Sequence, residues 1–546
     1  MRKWGIILVA LLLAGCTNLP TSGPVQVGGP LDTADDTLVQ YLPAGPAAGA
    51  TQQEIIDGFI AAGAAAQDDY RVARSFLTDD FAAAWNPQQE SVVRGQTSSI
   101  SVVGNATARF TTDVSARITG GGFYSVEESG TSQSFEFGME QVNGEWRISS
   151  APDAVFVSQA TFASTYQAFT VYFYNATRTQ YVPDVRYFPR AGDPVTDVAR
   201  AVVAGPSEFL PYATTAFPDA STLVATPVDV VDGRAMVDVS ADVLDSTPND
   251  QRAMLAQLTA SLDAISGVSS VSLTVDRSIL AMSGGVEPNA TVEPLVNDNP
   301  LAAVDGSFGY IFGSTVEPIG RLGDAIMALK PTSVSYHDTG VAAVGTSKGV
   351  YFVGDSQIRV SKTKSAVQPQ IDGSNAVWWV SPGDTSVIQV HTSGQAKTFT
   401  GPWGDSGRIV SLEVSRDDAR LAIGVNTTSG PRLYVASIGR DGKGHLSEIG
   451  GFHRLPIQGK VLVDLAWADA TNVAVISQTA TVSYVELASI GGVTTTMGQP
   501  LKPVSIVGGN GRAELVVRSS DGELWQPRAG GWQAIGVTVD LLATQH

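Results

Sequence analysis

Two serine-centred strings have the spacing of hydrolase nucleophiles. Gly345-Thr346-Ser347-Lys348-Gly349 fits G-x-S-x-G, a pattern in which a sharp strand-to-helix turn exposes the serine. Here Val350-Tyr351-Phe352-Val353 follows and reads as a strand, so a hairpin turn is expected instead. Gly404-Asp405-Ser406-Gly407 has the order of a serine-protease nucleophile loop. That chemistry also needs a base histidine and an orienting carboxylate. The five histidines are His337, His391, His445, His453 and His546, and none stands in a recognisable catalytic setting. No H-E-x-x-H, phosphate-binding loop or G-x-G-x-x-G string occurs. Asp79-Asp80 and Asp417-Asp418 are carboxylate pairs of the kind used in acid–base work. Adjacent residues on a strand face opposite ways, and solvated turns account for both pairs. By the same alternation one ring of Trp378-Trp379 points inward and leaves the other for a contact patch. The reading is a non-enzyme with no catalytic, cofactor-binding or metal-ligating residue.

The one cysteine of the 546-residue chain excludes internal disulfides and cysteine-rich metal sites. It stands at Cys16, after Met1-Arg2-Lys3, an apolar run from Trp4 to Leu13 broken only by Gly5, and Leu13-Ala14-Gly15. A charged start and a short apolar stretch make a secretory signal, since a membrane-spanning helix needs about 20 residues. Leu13-Ala14-Gly15-Cys16 resembles a bacterial lipobox. That resemblance implies cleavage between Gly15 and Cys16, S-diacylglycerol on the cysteine and an N-palmitoyl group on its new amine. Buried acyl chains then anchor the protein at about 0.8 kcal/mol per CH₂. Charge does not help. Lys+Arg number 34 against 53 Asp+Glu, a net −19. Losing the two charges of Arg2 and Lys3 makes it −21. Such a chain gains nothing electrostatically from an anionic leaflet, and no nucleic acid is expected as a partner, because phosphate contacts need clustered Lys and Arg and the sequence has no basic run.

Positioning these residues takes several units, because a chain of this length exceeds one core. Signal peptide 1–15 is followed by a lipidated tether, 16–50, rich in Pro, Gly, Ala and Thr. From 51 to 165, Thr51-Gln52-Gln53-Glu54 fits a helix capping box ahead of Ile55, Ile56, Phe59 and Ile60. Short alternating strands follow, with Gly120-Gly121-Gly122 as a turn and a hairpin about Val142-Asn143-Gly144. Helices and then a curved antiparallel sheet resemble the NTF2-like cone, an α+β fold that hosts both enzymes and binding modules. From 166 to 290, Asp193-Pro194 opens a helix that Gly205-Pro206 stops, Asp232-Gly233 marks a type I′ hairpin, and Thr247-Pro248 starts a second helix. From 296 to 546, short strands recur at about 40–45 residues, the spacing of propeller blades. Starts fall at Ser333-Val334-Ser335, Asn375 to Val380, Ile409 to Leu412, Leu462 to Trp467 and Val504-Ser505-Ile506. Five blades are readable, and a sixth pairs Gly309-Tyr310-Ile311-Phe312 with the C-terminus. The fold class is therefore multidomain: two α+β units, then an all-β propeller of about five or six blades.

Val198 to Pro206, Asp232 to Ser240 and Gln251 to Leu258 together resemble a GerMN domain, a binding or assembly module of envelope proteins. No catalytic residues carry over from that resemblance, and turn and strand-end polarity accounts for Asp238 and Ser240. Ser415-Arg416-Asp417-Asp418-Ala419-Arg420-Leu421-Ala422 resembles the Ser-Pro-Asp-Gly turn of TolB-like propellers, with Arg416 and Asp418 in place of Pro and Gly. Ser519 to Trp525 is close to a sialidase Asp-box, itself a structural turn. Lipobox, NTF2-like unit, GerMN unit and propeller in this order resemble the LpqB family of actinobacterial lipoproteins over essentially the whole chain. That resemblance implies a cell-membrane lipoprotein on the extracytoplasmic face. It implies that the protein binds the extracytoplasmic part of a sensor histidine kinase, MtrB, and modulates a two-component system affecting cell-wall homeostasis and division. The alternatives are an envelope scaffold or cell-wall glycan-binding lipoprotein, and a propeller glycan hydrolase.

Overall fold

The computed structural model describes residues 43–546 except 105, 128–131, 283, 285–287, 393–394 and 530. Cys16, the cleavage point and the tether up to residue 42 lie outside the described residues. Residues 43–546 form one compact unit.

The capping box forms: Thr51 N donates to Glu54 Oε2 at 2.8 Å and Glu54 N to Thr51 Oγ1 at 3.3 Å. The helix it starts, Gln52–Ala62, buries Ile55, Ile56, Phe59 and Ile60. Two shorter helices, Gln67–Arg74 and Asp79–Ala84, complete the cover. Beneath them lies a sheet in the order 145–150, 132–142, 107–119, 90–103, 155–158, with 124–126 also on the third strand. All its neighbours are antiparallel except 90–103 with 155–158. The face against the helices is filled by aromatic rings. Phe59 and Trp85 lie 5.0 Å apart, Phe110 and Phe156 5.4 Å, Phe135 and Phe156 4.8 Å. Offset and edge-on rings of this kind add roughly 0.5–1.5 kcal/mol per pair beyond area burial.

In the middle unit, Asp193 caps helix Pro194–Ala204 by accepting from Thr196 N, and Gly205 at φ +92° ends it. Thr247 caps helix Pro248–Leu262. Asp232 and Gly233 both take positive φ, as a type I′ turn demands, and join strands 229–231 and 234–238. Strand 234–238 then pairs parallel with 270–275. A separate ribbon pairs 166–174 with 181–189.

The propeller has six four-stranded blades. Five are contiguous in sequence, with inner strands 331–337, 367–371, 408–414, 461–467 and 503–507. In the first blade the inner strand is the C-terminal Leu541–Gln545, paired antiparallel with Leu301–Val304, so the two ends of the domain close the ring. Two expectations change. Asn375 to Val380 is not the start of a blade: the inner strand there is Val367–Ile371, and Val377–Ser381 is second. Both Trp378 and Trp379 are buried, at 0% and 4% exposure, in separate apolar clusters. A blade is covered on both faces by its neighbours, so strand alternation selects which neighbour a ring meets and leaves neither outside.

Candidate functional site

The inner strands carry polar side chains among their apolar ones, and those groups join blade to blade. Ser335 Oγ accepts from Ile371 N at 3.2 Å. Ser411 Oγ donates to Asp464 Oδ1 at 2.7 Å, and Asp464 Oδ2 accepts from Ile506 N at 3.0 Å. Glu413 Oε1 accepts from Trp467 N at 3.2 Å. The C-terminal His546 meets Gln370, Nε2 to Oε1 at 2.9 Å. Burial dominates the titration of these groups. It pushes Glu413 up to about 8 and Asp464 up to about 6, and holds His546 down at about 3. The axial region is thus a bonded polar seam with Glu413 protonated at neutral pH.

One end of that seam is covered by the middle unit and by the segment that follows it. Asn510 Oδ1 accepts from Val296 N at 2.8 Å, and its Nδ2 donates to Val296 O at 2.9 Å. Gln545 Nε2 donates to Asn299 O at 2.9 Å. Asn175 Nδ2 donates to Asp417 O at 3.2 Å. Tyr212 lies over Gly439 and Gly450, where any Cβ would crowd its ring, and Gly451 sits against Phe209 O and Pro211 Cδ. One continuous apolar cluster runs from Val198, Met254 and Leu258 to Leu433, Leu462 and Trp467.

The N-terminal unit joins at the same place. Arg186 NH1 donates to Gly121 O at 2.7 Å, and Tyr187 N to Gly122 O at 2.7 Å. Arg186 is itself held by the buried Asp184. Phe123, Phe209 and His453, one from each unit, form a three-ring cluster with centroids 5.1–5.3 Å apart. Enclosure in that cluster lowers His453 to about 4, against the attraction of Asp184. None of these docking residues was legible as such. The signals were Gly120-Gly121-Gly122, which reads only as a turn, and the Gly450-Gly451 pair.

The sequence-read candidates fall apart in space. Ser347 is exposed in the hairpin turn between strands 341–346 and 349–353, whose backbone Thr346 Oγ1 ties. Ser406 is exposed in the turn before blade four. The histidines are engaged elsewhere: His337 with Thr339, His445 with Asp441, His453 and His546 as above, and His391 on the third strand of blade three. Asp79 and Asp80 lie exposed in the first turn of a helix, where the dipole favours carboxylates. Asp417 departs from its expected solvated turn. It is 3% exposed, caps Ala419 N at 2.9 Å and pairs with the buried Arg420, which lies 4.8 Å over the Trp467 ring. Asp418 takes the left-handed φ of +60° where the related motif has glycine. Asp238 accepts from Thr274 Oγ1 and Arg277 N, and Ser240 Oγ from Thr222 N. The 519–525 segment is a hairpin turn in which Ser519 Oγ donates to Glu523 O at 2.9 Å. Among the described residues no three His, Cys, Asp or Glu side chains are placed to hold a metal ion, and no helix is long and apolar enough to cross a membrane.

The fold is that of a multidomain protein with a C-terminal β-propeller. Residues 45–163 match the N-terminal domain of lipoprotein LpqB, 170–279 a sporulation and spore germination domain, and 310–540 the LpqB β-propeller domain. The chain is 28% identical to lipoprotein LpqB of Cutibacterium acnes, over 98% of this chain and 99% of that protein. It is 23% identical to lipoprotein LpqB of Mycolicibacterium smegmatis, over 93% and 92%. Among solved structures, the first GerMN domain of GerM from Bacillus subtilis aligns at 22% identity and a TM-score of 0.19, covering 22% of this chain and 92% of that one. The chain belongs to the LpqB lipoprotein family.

Proposed function

We propose that the protein is lipid-anchored through Cys16 on the extracytoplasmic face of the cell membrane. There it binds the extracytoplasmic part of a sensor histidine kinase of the MtrB type and so modulates a two-component system. The observation that carries this reading is the order of domains: two LpqB-type domains flank a germination-type domain, with similarity along nearly the full length of LpqB relatives. The bonded joints add support, because a rigid body presents one fixed outer surface to a membrane-bound partner. The lipid concentrates that surface near the bilayer, which raises the effective concentration of two molecules confined there. No residue of this chain is assigned a catalytic role in the reading, and no cofactor is required. Capture of the full-length chain from solubilised membranes is expected to recover the kinase. Recovery of other envelope proteins without it would refute the partner. Cys16→Ser is expected to release the protein from membranes or leave it unprocessed; normal processing and anchoring of that variant would refute the anchor.

A further inference from the structure

A groove of about 470 Å³ runs between the N-terminal unit and the propeller. One wall is Val126 and Glu127, at the end of strand 124–126; the other is the hairpin tip 428–432 of blade four and the connection 454–460 to blade five. The charge lining it is opposite to that of the chain. Arg432, Arg454 and Lys460 line it together with one carboxylate, Glu127, in a protein with 34 cationic and 53 anionic side chains. Glu127 is itself held by Arg117 Nε at 3.1 Å.

The cations are placed by the blade. Tyr434 is opposite Arg454 in the ladder, so Arg432, two residues earlier, shares a face with Arg454. Arg432 is half-buried and pinned to its own hairpin, NH1 on Pro431 O at 3.1 Å and NH2 on Ser429 Oγ at 3.2 Å. Neither Arg432 nor Lys460 has a carboxylate within ion-pair distance among the described residues. A positioned guanidinium is a preferred partner of tetrahedral oxyanions, and Thr428 and Ser429 add hydroxyl groups for a polyol.

We infer that this groove binds an anionic polyol chain whose charge is carried by phosphodiesters. The shape decides between sources. A flat bilayer cannot enter a recess between two units, and a lone phosphate fills only a fraction of it; a chain lies along it and meets several cations in turn. This inference is independent of the kinase reading, since neither the anchor nor a protein partner enters it.

The test uses the full chain in neutral detergent, titrated with a short poly(glycerol phosphate), with glycerophosphoglycerol and with inorganic phosphate. Saturable polymer binding that weakens with salt is expected, at least tenfold tighter per phosphate than either small probe. It should fall at least tenfold in Arg432→Ala/Lys460→Ala, with an unchanged melting curve, and be largely kept in Arg432→Lys/Lys460→Arg. Failure of the polymer to bind, undiminished binding in the alanine pair, or equal affinity per phosphate for glycerophosphoglycerol would each overturn the inference.

Discussion

Glu413 and His453 show how single buried groups set the conditions under which this protein holds together. The Glu413 carboxyl is fully stabilising only while protonated. Its contribution is therefore complete below the ordinary value of 4.5 and is lost as pH rises toward about 8. Through that window the wild type is expected to lose up to roughly 1.4 kcal/mol per pH unit from this site. Glu413→Gln should flatten the upper limb of a melting-temperature profile; an unchanged slope would show that Glu413 does not titrate there. His453 has the opposite sign. Its protonated form is favoured in the unfolded chain, so stability falls as pH drops from 6.5 toward about 4. His453→Phe keeps a ring in the cluster and removes the charge. Its melting temperature relative to wild type should rise progressively over that interval. Gly451 is a steric test of the same joint. Valine there collides with Phe209 and Pro211, at a cost of roughly 1–3 kcal/mol, whereas Gly442, with open space about it, should accept valine silently.

The elements most legible in the sequence are those whose signals are local. Thr51, Asp193 and Thr247 cap helices because a hydroxyl or carboxylate three residues before a free N–H needs no distant partner. Asp232-Gly233 specifies its turn for the same reason. Blade strands with Val and Ile on both faces were legible as well, including Leu462 to Trp467. The third blade was misplaced because its inner strand reads Val367-Gln368-Pro369-Gln370-Ile371. Polar residues belong there, since Gln370 meets His546 and Gln368 meets Thr544 across the axis, but that reason lies some 176 residues away. The docking surfaces were illegible on the same principle: a glycine that admits another unit's Tyr212 looks like a loop glycine. The ring closure gives a direct test. Truncation after Asp540 removes the inner strand of the first blade, including the fully buried Ala543. Circular dichroism and calorimetry should show loss of a cooperative propeller transition. Retention of the wild-type melting curve would mean that the ring does not close through the C-terminus.

At the scale of the whole molecule, the three units are not beads on a string. The apolar cluster shared by the middle unit and blades four and five couples their unfolding, and the Phe123–Phe209–His453 cluster ties in the N-terminal unit. One end of the propeller's polar seam is occupied from within the chain, which leaves the outer faces for partners. The proposed kinase contact, and its independence of any catalytic step, are tested most directly by titrating the full-length chain in nanodiscs with the purified extracytoplasmic domain of the MtrB-type kinase. Saturable one-to-one binding is expected, unchanged in Ser347→Ala and Ser406→Ala and weakened in Gly451→Val, which loosens the joint that holds the outer faces in fixed relation. Absence of saturable binding, under conditions where both proteins are folded, would contradict the proposed contact.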